Sequence, residues 1–101
     1  MKDVLLAITA QRQARGWTEY QLAEQSGLPQ STISSWYRKN MIPTLPSLEK
    51  IAGAFGMTLS QLLAEEGDPI TLTEDQRQLL GCWARLSREQ QAALLALLKL
   101  L

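Results

Sequence analysis

Residues 18–40 read TEYQLAEQSGLPQSTISSWYRKN. Thr18 and Gln21 have the Ser/Thr-x-x-Glu/Gln spacing in which a hydroxyl and an amide each satisfy a free backbone N–H, so a helix opens there. Leu22 supplies its inward contact, and the small Ala23 beside it lets a second helix approach closely. Gly27 can take the left-handed backbone that ends a helix without a steric penalty. Leu28 then plugs the corner. Ile33 and Trp36, three apart, form the inward face of a second helix. The outward positions Gln30, Ser31, Ser34 and Ser35 are polar and mostly short, and Arg38, Lys39 and Asn40 follow at the C-terminal end. Two short helices therefore meet at a tight corner, and the second turns small hydrogen-bonding groups outward. A face of that kind suits the major groove of a duplex, where base edges carry distinct donors and acceptors.

Working outward, a first helix is expected over residues 3–15, with Leu5 and Ile8 inward. A fourth begins near Thr44, with Pro46 in the first turn, where its missing N–H costs nothing. Its apolar positions Leu45, Leu48, Ile51, Ala52 and Phe55 keep a 3–4 spacing. Thr58 with Gln61 is a second capping box and starts a fifth helix. Residues 65–69, EEGDP, are the clearest break in the chain. Thr73 with Gln76 and Ser87 with Gln90 repeat the capping box and predict helices over 73–85 and 87–100. The fold class is all-α. The divisions are a helix-turn-helix domain over 1–66, a linker over 67–72 and a helical tail over 73–101.

The pattern resembles the Cro/phage-repressor type of helix-turn-helix, the xenobiotic-response-element (XRE) family of transcriptional regulators. Leu22-Ala23, Gly27, Ile33 and Trp36 carry the resemblance at the corner. Arg12 and Gly16-Trp17 resemble the family's first helix and its exit. Pro43-Thr44-Leu45, Leu48, Lys50-Ile51-Ala52 and Phe55-Gly56 look like its fourth helix, and Thr58-Leu59, Leu62 and Leu63 like its fifth. The likeness covers residues 3–66. It implies a five-helix lambda-repressor-like DNA-binding domain; the two capped helices beyond it form a C-terminal tail that is expected, from its own apolar composition, to be a dimerisation element. The likeness also implies a sequence-specific, double-stranded DNA-binding repressor acting as a homodimer on a two-half-site operator. Two rival readings share the scaffold: an antitoxin-type regulator that binds DNA and a partner protein, and a protein-interaction module without DNA binding.

The resemblance places Gln30 at a base edge. Its amide can donate and accept in one plane, which matches N6 and N7 of adenine; a solvated surface glutamine is the plainer reading. Ser31, Ser34 and Ser35 are the other expected base contacts. Serine has only middling helix propensity, so three on one face suggest a function, though simple solubility is the alternative. Thr18, Thr32, Arg38, Lys39 and Asn40 are expected along the DNA backbone, where contacts set affinity more than sequence choice. The cations also suit a helix C-terminus electrostatically. The chain departs from the family at four positions. Tyr37 stands where a glutamate often pairs with an arginine matching Arg12, so Arg12 is expected to meet the Tyr37 ring or hydroxyl instead. Pro29 replaces the usual capping Ser or Thr, Gln11 an apolar residue, and Glu19 a neutral or basic phosphate contact.

Composition narrows the function classes. The chain has 101 residues, 46% of them hydrophobic, which is ample for a packed core. Formal net charge is zero, so composition gives no general electrostatic argument for nucleic acid. The distribution is weakly biased: residues 1–56, with Lys2, Arg12, Arg15, Arg38, Lys39 and Lys50, carry +2, and residues 57–101 carry −2. Non-specific DNA binding should be modest and easily salted out. One cysteine, Cys82, and no histidine exclude an intrachain disulfide and a Cys/His zinc cluster. No nucleophile–base pair or phosphate-cradling glycine loop suggests an enzyme, and no cofactor is expected. The polar start is unlike a secretory leader. The apolar end is about 15 Å long as a helix and too short to span a bilayer, so a cytoplasmic protein without a membrane partner is expected.

That end, residues 92–101 (AALLALLKLL), has one polar residue, Lys99. A helix apolar all round must be covered all round. Each leucine taken fully out of water contributes roughly 1.5–3 kcal/mol, and leaving half of them bare favours aggregation. A homodimer built through the tail meets the need, with Trp83, Leu94, Leu97, Leu98 and Leu101 as its interface. Trp83 shares helical spacing with Leu79, Leu80 and Leu86. Trp17 and Trp36 are expected in the core, and Cys82 as a small buried hydrophobe.

Overall fold

The computed structural model describes residues 3–101; Lys2, counted above among the basic residues, lies outside them. Among the described residues the chain forms helices only: α1 (Val4–Ala14), α2 (Glu19–Ser26), α3 (Gln30–Lys39), α4 (Leu45–Ala54), α5 (Leu59–Leu63), α6 (Glu74–Ala84) and α7 (Arg88–Lys99). The fold is an all-α, five-helix domain of the lambda-repressor type followed by two further helices.

Local chemistry explains the helix starts. At α2, α5, α6 and α7 the residues Thr18, Thr58, Thr73 and Ser87 form complete capping boxes with Gln21, Gln61, Gln76 and Gln90. Asp3 caps α1 through the Leu6 N–H, and Thr44 caps α4 through that of Ser47. Gly27 ends α2 at φ 77°, as its position predicts.

The core lies within α1–α5. Ile8, Leu22, Ile33, Ile51 and Leu62 are fully buried, joined by Ala7, Ala23, Trp36, Leu48, Ala52 and Phe55. Trp17 packs at the edge, stacked on Phe55 with ring centroids 5.7 Å apart. Arg15 closes the same edge. Its guanidinium lies 4.7 Å from the Phe55 ring centroid and donates to the Phe55 carbonyl at 2.8 Å. Leu45 is exposed rather than inward: it is the first residue of α4, at the rim, and the buried face begins one turn later at Leu48.

The tail differs. No residue of α6 or α7 is buried, and the extensive helix–helix contacts all lie among α1–α5. Leu79, Leu80 and Trp83 of α6 face Leu94, Leu95 and Leu98 of α7 across an open apolar groove of about 200 Å³. Cys82 is exposed, not buried. It precedes Trp83 by one residue, so it points about 100° away from the only face that α7 covers.

Candidate nucleic-acid interface

The orientation of α3 follows from two side chains. Ile33 is fully buried and Trp36 only 4% exposed, so the helix is fixed by its inner face against α2, and its other face must look out. Gln30, Ser31, Ser34, Ser35 and Arg38 follow the 3–4 spacing that lines up along one stripe of a helix. Along it Gln30, Ser31 and Arg38 are exposed and Ser34 and Ser35 half-buried. Lys39 and Asn40 continue the exposed surface, and Thr32 is half-buried at its flank.

Ser34 is less free than its outward spacing suggests. Its hydroxyl points at Glu19 Oε1, 3.5 Å away and at the outer limit of a hydrogen bond. The carboxylate at the start of α2 therefore faces α3. Thr18, also exposed, accepts the Gln21 N–H at 3.1 Å through its hydroxyl oxygen. That leaves its O–H able to donate to a phosphate.

The ends of α3 are handled differently. Pro29 makes no side-chain cap, consistent with a missing hydroxyl there. Asn40 ends the helix in the left-handed region at φ 49°, and its N–H is donated to the Trp36 carbonyl. Asparagine is one of the few residues other than glycine that tolerates this backbone, so Asn40 just past the last helical residue is the sequence signal for this stop. Met41 and Ile42, immediately beyond, are exposed, Ile42 by 79%.

A half-buried clamp behind the face holds α3 to α1. Arg12 lies 5.8 Å from the Tyr37 ring centroid, as expected, and donates to the Trp17 carbonyl at 2.8 Å. The Tyr37 hydroxyl pairs with that of Thr9 at 2.8 Å. No motif announces this second bond, because it joins residues 28 apart. Among the expected tail contacts, Trp83, Leu94 and Leu98 line the groove. Leu97 and Leu101 lie exposed outside it.

Two helices joined at a left-handed glycine, with the outer stripe of the second laid open, define a helix-turn-helix. The chain belongs to that family: the helix-turn-helix family model matches residues 8–62. It is 39% identical over 59 residues to an immunity repressor protein of Bacillus phage phi105, a match covering 58% of this chain and 41% of the relative. It is 34% identical over 68 residues to a hypothetical transcription factor of Neisseria meningitidis serogroup B, covering 64% of each. The chain thus spans about half the length of the curated relatives it matches. The crystal structure of the Neisseria hypothetical transcription factor NHTF superposes with a TM-score of 0.53 at 32% identity, covering 77% of this chain and 82% of that one. A chain of the SinR protein/SinI protein complex superposes equally well, at 0.53 and 26% identity, covering 91% of this chain and 90% of that one.

Proposed function

We propose that this protein is a sequence-specific, double-stranded DNA-binding transcriptional repressor that works in the cytoplasm as a homodimer on a two-half-site operator. The observation that carries this reading is the open polar stripe of α3, which runs from Gln30 to Arg38 on a helix fixed by Ile33 and Trp36. Gln30 reads a base edge, with Ser31, Ser34 and Ser35 beside it. Thr18, Thr32, Arg38, Lys39 and Asn40 hold the DNA backbone. Two copies joined through Trp83, Leu94, Leu97, Leu98 and Leu101 place their reading helices in successive major grooves about 34 Å apart and block polymerase. The names of the phage and Neisseria relatives support this reading.

Selection from random duplexes, followed by a salt titration on the winner, tests it. A two-half-site consensus with salt-dependent affinity is expected. No enrichment over random sequence would refute it.

A second reading is favoured by one observation. The likeness to a chain of a SinR protein/SinI protein complex covers 91% of this chain and so takes in most of the tail, where the apolar groove lies open. A different protein would then cover the tail. Sedimentation of the protein alone separates the two: a dimer supports the first reading, a monomer the second.

A further inference from the structure

We propose that Gln61, Gln76, Ser60 and the Thr71 backbone set the half-site spacing that the protein accepts, by holding the tail at a fixed angle to the reading head. This inference rests on the dimeric DNA-binding reading. If dimerisation is through the tail, the distance and twist between two reading helices depend on how each tail leaves its head.

Apolar packing does not hold that joint. No residue of α6 is buried. An open cleft of about 270 Å³, lined by Gly53, Gly56, Met57, Gln76 and Leu79 among others, separates the start of α6 from the end of α4. A polar network spans the joint instead. Gln61 Oε1 accepts the Thr58 N–H at 2.9 Å, and Gln76 Oε1 accepts the Thr73 N–H, also at 2.9 Å. Each glutamine thus caps its own helix, and Gln61 Nε2 donates across to Gln76 Oε1. Thr71 ties the connecting segment down: its N–H donates to Ser60 Oγ at 3.0 Å, and its carbonyl accepts the Thr58 hydroxyl at 2.7 Å. The turn before it is closed as well, by the Glu65 N–H donating to Asp68 Oδ2 at 2.9 Å. Beyond the joint the hairpin is braced by Gln91 Nε2 donating to the Trp83 carbonyl at 3.0 Å. The segment is therefore a fastened arm, and the cross-link between the two capping glutamines fastens it.

The chemistry supplies matched variants. Gln61→Glu keeps the oxygen that caps α5 but removes the donor toward Gln76. Gln76→Glu keeps an acceptor for both the Thr73 N–H and Gln61 Nε2. Ser60→Ala removes the acceptor of the Thr71 N–H at an exposed position.

The test measures affinity of the full-length protein for duplexes carrying two selected half-sites at stepped spacings. One added base pair rotates a half-site by about 35° and moves it about 3.4 Å. The unaltered protein and Gln76→Glu are expected to lose about tenfold per added base pair, while Gln61→Glu and Ser60→Ala lose about threefold or less. Affinity for an isolated half-site and the sedimenting mass should stay unchanged in all four. Wild-type spacing profiles in both Gln61→Glu and Ser60→Ala would overturn the inference, as would an unaltered dimer indifferent to spacing; both outcomes leave the DNA-binding reading standing. Failure of the unaltered protein to bind any duplex would overturn that reading and the inference with it.

Discussion

The guanidinium carbon of Arg12 lies 5.8 Å from the centroid of the Tyr37 ring, and this pair joins the first helix to the back of the third. The buried Arg12 Nε has no hydrogen-bond acceptor among the described residues, so the ring face and the Trp17 carbonyl together hold the cation. Replacing Arg12 with alanine should cost about 1–2 kcal/mol. That corresponds to a fall of roughly 4–8 °C in Tm per kcal/mol for a domain of this size. Thermal melting by circular dichroism reads it, and an unmoved midpoint would show that the clamp adds nothing.

Gln30 and Lys39 should fail in different ways. Gln30→Ala is expected to relax preference at one operator position by ~1–3 kcal/mol, whereas Lys39→Ala should weaken all duplexes alike and lower the salt slope by about one. Competition among single-base operator variants at several salt concentrations separates them. A loss from Gln30→Ala that is equal for every sequence would show that this side chain does not read a base.

Ending the chain after Glu66 should leave a folded head, because every buried hydrophobic residue among the described residues falls between Ala7 and Leu62. The shortened protein is expected to sediment as a monomer. A persistent dimer would move the interface to the head, where Met41, Ile42 and Leu45 are exposed beyond the reading helix.

Gly27→Ala isolates the cost of the corner. A Cβ there meets nothing within 4 Å, yet φ is 77°, so the penalty is conformational and should be about 1–2 kcal/mol. Gly27→Asn should lose less, since asparagine tolerates that backbone. Equal destabilisation by both in chemical unfolding would mean that crowding, not backbone conformation, governs the turn.

The head was legible where its determinants are local. A capping box needs two residues three apart, and all four foreseen boxes form, so the starts of α2, α5, α6 and α7 follow from short words in the sequence. The inward roles of Ile33 and Trp36 follow from spacing and depth together. Spacing alone was not enough at Leu45 or Cys82. It tells which residues share a face, but not whether anything lies opposite to cover it. The spacing of Ser34 places it outward, but it does not show that Glu19 approaches it from a separate helix. The link between Gln61 and Gln76 was out of reach because each glutamine already had a local partner, and only the fold shows that one amide also points across the joint.

The uncovered leucines of the last two helices have a consequence for dosage. Groups that find shelter only in another molecule draw their stability from its abundance. In the proposed dimer, occupancy of an operator would rise with roughly the square of monomer concentration while dimers are scarce. The exposed rows at Leu79, Leu80, Leu95 and Leu98 would thereby turn a gradual change in synthesis into a threshold, making the amount of protein itself the signal.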